Sequence, residues 1–141
     1  MAWRPRNETT EDLQREEAAA KTLAEAWGVE VIKLSEALYG VDWAFSRDNK
    51  VVAFGEFKTR FKKYDTALLS FAKYSKLYNL HKLTGLPALL IIQWPDELCY
   101  WEVDDEPLKS IGVGRNSRGQ NGDTEPVIYI DVNKFRQVGN G

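Results

Sequence analysis

The chain has 141 residues, 19 basic and 21 acidic, for a net charge of −2, a size that suits one domain built on a single sheet with covering helices. Apolar residues at 43% and charged residues at 28% are ordinary globular usage, which excludes a disordered tail or a fibrous repeat. A lone cysteine, Cys99, and a lone histidine, His81, exclude a disulfide framework and metal sites built on several thiolates or imidazoles.

Residues 1–10 are polar, with Arg4, Arg6 and Glu8 and no apolar run, so no secretory signal is expected and the chain reads as cytoplasmic. Thr9 or Thr10 before Glu11 and Asp12 predicts a helix start, since a hydroxyl caps free amides and acids favour the positive helix end. Leu13, Ala20, Leu23, Ala24 and Trp27 continue at helical spacing until Gly28 stops the helix. Val29 to Leu34 reads as a short strand. Val41 to Phe45 and Lys50 to Thr59 flank Ser46, Arg47, Asp48 and Asn49, turn formers that predict a hairpin. Ala67 to Leu83 has apolar residues at helical spacing and ends at Gly85 and Pro87, a second helix. Ala88 to Gln93 is a continuous apolar run expected to be a buried strand, far short of the ~20 residues of a membrane helix. Leu98 to Val103 returns as its hairpin partner across Pro95, Asp96 and Glu97. Residues 104–123, rich in Gly, Asn, Ser and charge, read as a loop, and Val127 to Val132 as a last strand. The expectation is one α/β domain over 1–141, with an α-β-β-β-α-β-β core at about 9–103 and a C-terminal loop and strand at 104–141.

The near-neutral total hides a segregation of charge. Between Lys58 and Lys82, seven basic residues (Lys58, Arg60, Lys62, Lys63, Lys73, Lys76, Lys82) meet Asp65 alone, whereas Asp96 to Glu106 holds six acids and no base. The chemistry concentrates at Asp42, Glu56 and Lys58. Thirteen residues separate the two acids, and a hairpin brings them onto adjacent strands, where two carboxylates can converge on a hard divalent cation such as Mg²⁺ or Mn²⁺. Strand alternation puts Lys58 on the Glu56 face, in position to meet a water or a phosphate. Gly55, Phe57, Val41 and Trp43 flank the acids, so an unpaired carboxylate there would be costly and a cation supplies a reason for it. This pattern points to phosphodiester hydrolysis. Arg60, Lys62 and Lys63 follow directly and are candidate phosphate contacts, and the Tyr64 ring is available to stack or pack. Arg115 and Arg118, among Gly112, Gly114 and Gly119, read either as a phosphate clamp or as a solvated surface loop.

With Val41-Asp42 in one strand, Glu56-Phe57-Lys58 in the next, an acid-bearing helix before them and a helix and buried strand after, the sequence resembles the PD-(D/E)XK nuclease superfamily, the restriction-endonuclease-like fold. Valine stands where that motif has proline, which bears no chemistry. The resemblance spans residues 9–103 and extends to small phage-encoded nucleases. It implies a mixed central β-sheet flanked by helices, a metal-dependent DNA nuclease with Asp42, Glu56 and Lys58 as catalytic residues, and a helix-one acid, Glu16 or Glu17, assisting at the metal. Glu16 lies nearer the apolar helix face and is favoured; otherwise both are solvated helix acids. The resemblance also implies a polar residue from the second helix, making Ser70 and Lys73 candidates for contact with nucleic acid. Within the superfamily, a Holliday junction resolvase acting as a homodimer is the alternative enzyme. A binding module holding nucleic acid without cleavage is the alternative of another class.

Overall fold

The computed structural model describes residues 10–35, 40–109, 111–115 and 124–139. Helix α1 (Thr10–Trp27) carries Glu11 and Asp12 in its first turn, where acids complement the helix dipole. It ends at Gly28, whose φ of +62° is a left-handed conformation cheap only for glycine. Strands β1 (Glu30–Lys33), β2 (Trp43–Arg47) and β3 (Lys50–Thr59) follow as an antiparallel meander. The β2–β3 connection is the two-residue turn Asp48-Asn49, with φ of +54° and +64°. Two successive left-handed residues turn a hairpin with the right-handed twist of its strands, and Asp and Asn tolerate that conformation.

After β3 the chain makes β4 (Thr66–Ser70), α2 (Phe71–Thr84), β5 (Ala88–Trp94) and β6 (Glu97–Glu102). A 3₁₀ turn (Glu106–Lys109) leads to β7 (Ile111–Arg115) and β8 (Thr124–Asp131), and a second 3₁₀ turn (Val132–Lys134) to β9 (Arg136–Gln137). The larger sheet has the order β1-β2-β3-β5-β6-β9 and is antiparallel except for the β3/β5 pair. A parallel pair needs a crossover, here β4 and α2. The smaller sheet, β4-β8-β7, is antiparallel.

The mixed sheet, its covering helices and the buried fifth strand match expectation, with differences elsewhere: Ser46 and Arg47, expected in the turn, end β2, and the short β9 lies outside the expected elements. The second helix starts at Phe71 rather than Ala67, because Thr66–Ser70 alternates exposed and buried side chains and pairs with β8. The predicted loop at 104–123 holds a 3₁₀ turn and β7, and the last strand begins at Thr124. Pairing with β8 supplies the backbone hydrogen bonds that β4 and the glycine-bearing β7 lack locally.

Alternation along the central strands divides the core. On one face Ala19 and Leu23 of α1 pack with Trp43, Phe45, Leu89 and Ile91; on the other Tyr74 and Leu77 of α2, with Leu69, Ile128 and Ile130 of the small sheet, pack with Leu90 and Ile92. Gly55 lies where a Cβ would meet the Phe45 ring at 2.8 Å and Ile91 Cδ1 at 3.0 Å, so its lack of a side chain lets the first layer close. Among the described residues no helix is long and apolar enough to cross a membrane.

Candidate active site

The register of the β2–β3 hairpin sets the site. Trp43 is paired with Gly55, which puts Asp42, one residue earlier, across from Glu56 on the α2 face of the sheet. Asp42 Oδ2 accepts a hydrogen bond from the Phe57 backbone N–H at 2.9 Å, and its carbonyl accepts from Leu34 N–H at 2.7 Å. The carboxylate is thereby anchored to the strand that carries Glu56 and Lys58.

Glu56 is 2% exposed. Its Oε1 accepts a 2.5 Å charge-assisted bond from Lys73 Nζ on α2, and its Oε2 is buried with no hydrogen-bond partner. A buried carboxylate oxygen without a donor costs on the order of 1–3 kcal/mol or more, so a free position for a positive group beside Oε2 has a physical motive. Lys58, half-buried, sits on the same face. Its pKa is lowered from the ordinary lysine value, first by burial and then by the charges of Arg60 and Lys73, against which Glu56 and Asp42 act in the opposite sense. Two acids and three bases thus share one electrostatic neighbourhood at the carboxyl end of β3. A donor set of carboxylate oxygens with one orphaned atom fits a hard divalent cation, and Asp42 and Glu56 are the residues that would hold it.

The other predicted residues divide. Glu16 is in a 3.0 Å ion pair with Lys33; Lys33 lies opposite Trp43, on the α1 side of the sheet, so this acid is not gathered with Asp42 and Glu56. Glu17 is exposed on α1. Among the described residues no group of three or more His, Cys, Asp or Glu side chains is assembled as a metal cluster. Ser70 caps α2, its Oγ accepting from Lys73 N–H at 3.2 Å, a local role that also fixes where Lys73 leaves the helix. Lys73 reaches Glu56 itself. Arg60 is exposed, and Lys63 bonds Glu97 with its ammonium 4.9 Å from the Trp94 ring. Lys62 lies 5.2 Å from the Tyr64 ring. Arg115 ends β7, opposite Thr124, and Arg118 lies outside the described residues. Sequence reasoning passed over Arg15 and Phe61, which meet at 5.2 Å beside the site's end of β3. The signal was available in Phe61 as an aromatic residue inside the basic run Arg60 to Lys63.

A family model described as "Phage putative PDDEXK endonuclease" matches residues 2–138. No functionally curated protein matches the sequence. Among solved structures, the fold is similar to Hjc of Archaeoglobus fulgidus, a Holliday junction resolvase from an archaeal hyperthermophile, with a TM-score of 0.58 and 17% identity over 86% of this chain and 84% of that one. With its sheet order, its hairpin-borne acids and a family match over nearly its whole length, the chain belongs to the phage PDDEXK endonuclease family and is a nuclease on a restriction-endonuclease-like fold.

Proposed function

We propose that the protein hydrolyses DNA phosphodiester bonds with a divalent cation, Mg²⁺ or Mn²⁺, held by Asp42 and Glu56. The observation that carries this reading is the buried, unpartnered Glu56 Oε2 on the sheet face it shares with Asp42 and Lys58. The cation supplies charge stabilisation at the phosphate and a more acidic water. Asp42, tied to the Phe57 amide, keeps its orientation without substrate. Lys58, surrounded by the other charges and lowered in basicity by burial, orients the attacking water and meets the negative charge that grows on the phosphate. Arg60 and its basic neighbours hold the flanking phosphates.

Labelled linear duplex, single-stranded and four-way-junction DNA, with RNA of the same sequence, incubated with Mg²⁺ or Mn²⁺, test the proposal. The junction belongs in the set because the structural neighbour is a Holliday junction resolvase; gel filtration then tells a monomer from the dimer that symmetric junction cutting requires. Metal-dependent cutting of DNA that is lost in Glu56→Gln and in Lys58→Ala supports the assignment. Equal DNA binding by all three proteins with no cutting replaces it with a binding module, and cutting unaffected by both substitutions moves the site elsewhere.

A further inference from the structure

Residues 60–65, between β3 and β4, leave two rings in water: Phe61 is 74% exposed and Tyr64 64%. The segment is anchored on both sides of them. Arg60 N–H bonds the Gln93 carbonyl at 2.9 Å and the Asp65 carbonyl accepts from Val132 N–H at 2.9 Å, while Lys63 is tied to Glu97. Each ring carries a cation, Arg15 over Phe61 and Lys62 over Tyr64, both at 5.2 Å from the ring centroid. Two clefts of about 420 and 470 Å³ flank the segment, one lined by Arg15 and Phe61, the other by Lys62 and Tyr64; Arg60 and Trp94 line both.

Exposed aromatic rings whose one close neighbour is a surface cation forgo most of the stabilisation of burial, so their placement asks for a partner. Arg15 is already paired with Glu11 and Asp12 on its own helix, but an apolar protein surface fits poorly, because docking it would strip water from Arg60 and Lys62 without offering them anions. Duplex nucleic acid satisfies the cations but not the rings, since its bases are already stacked on one another. Unpaired nucleotides satisfy both, with phosphates for the cations and open base faces for the rings. Phe61 is three residues from Lys58, at most about 10 Å of extended chain, and its ring lies under Arg15 on the α1 side of the sheet, so the bases concerned lie within a few nucleotides of the bond being cut.

Resting on the nuclease reading above, we infer that Phe61 and Tyr64 form a stacking platform that selects DNA with unpaired bases flanking the scissile phosphate, such as a single strand, an overhang or an opened branch. The platform binds and positions substrate and takes no part in the bond-breaking step.

Fluorescence anisotropy in EDTA measures affinity for a labelled single strand and for the blunt duplex of the same sequence, and 2-aminopurine placed in the single strand reports ring stacking by quenching. The proteins are wild type, the Phe61→Ala/Tyr64→Ala double variant and a Phe61→Leu/Tyr64→Leu control that keeps apolar bulk without aromatic faces. Base–aromatic stacking is worth about 1–3 kcal/mol per base; accordingly, the alanine pair loses about tenfold or more in single-strand affinity and its 2-aminopurine quenching, while duplex affinity stays within about twofold. The leucine pair behaves like the alanine pair, and both melt close to wild type, since neither ring is buried. Wild-type single-strand affinity and quenching retained in both variants overturn the platform and leave the nuclease reading standing. A parallel loss on single strand and duplex also overturns it, by showing a general loss of nucleic-acid affinity. Absence of both DNA binding and cutting in the wild type instead removes the nuclease reading on which the platform rests.

Discussion

Replacing Lys73 with Met removes the ammonium that meets Glu56 Oε1 at 2.5 Å and keeps the length and apolar character of the stem. Breaking a fully buried ion pair by deleting one partner costs about 3–5 kcal/mol, because the other charge is left without compensation. Glu56 is 2% exposed but the Lys73 side chain is 32% exposed, and solvent screening at that end lowers the expected loss to about 2 kcal/mol. At about 2.1 cal/mol/K per residue of unfolding entropy, that loss is a fall in Tm of roughly 7 °C for a chain of this length. The cation response carries the sharper information. If Asp42 and Glu56 form a cation site, Lys73→Met removes the internal positive charge that a divalent ion competes with, and Mg²⁺ regains much of the lost stability at concentrations that scarcely shift the wild type. The assay is thermal unfolding by circular dichroism over a Mg²⁺ titration, with Glu56→Gln/Lys73→Met as the second arm. In that double variant no buried charge is left alone, so Tm recovers towards wild type and the enhanced Mg²⁺ response disappears. A Lys73→Met protein that melts with the wild type, or a double variant that keeps the enhanced Mg²⁺ response, refutes the reasoning.

Gly55→Ala brings a methyl group within 2.8 Å of the buried Phe45 ring; overpacking of this kind costs about 1–3 kcal/mol, read as a lower denaturation midpoint in urea. Ser70→Ala deletes the α2 cap and costs about 1 kcal/mol, and Ser70→Asp, which can still accept from the Lys73 amide, retains most of it in the same assay. Burial pushes the Cys99 thiol up from 9.0 to about 11. Folded protein at pH 8 therefore resists a disulfide exchange reagent that labels it at once in denaturant, as followed by absorbance. Between pH 9 and 11 the unfolded chain has shed a proton that the folded chain keeps, so unfolding titrations find stability falling as pH rises through that window.

The acids and Lys58 were legible because everything that brings them together is local: a hairpin with Asp48-Asn49 at its turn, and alternation along β3. Lys73 was legible as a basic residue on a helix but its partner was not, since the Glu56 bond depends on how α2 is rotated over the sheet, which no short spacing encodes. Strand β4 was lost for a related reason. Ala67, Leu68, Leu69 and Phe71 make an apolar run that merges with the helix after it, and the period-two burial becomes visible only once β8, about 60 residues later, covers one face. Glycine-rich β7 likewise owes its strand conformation to β8. The burial of Glu56 was anticipated from its neighbours, whereas the Glu16–Lys33 pair shows that an acid near the apolar stripe of a helix can be spoken for by the adjoining strand.

The crossover between β3 and β5 also bears on how the chain can be synthesised. The hairpin bearing Asp42, Glu56 and Lys58 is complete once residue 59 has emerged, yet what withdraws Glu56 from water, α2 and the parallel neighbour β5, comes later and in the same stretch as Lys73. During vectorial growth the carboxylate can remain hydrated until the segment that hides it arrives together with its counter-ion. No intermediate on that route has to hold the charge buried and alone.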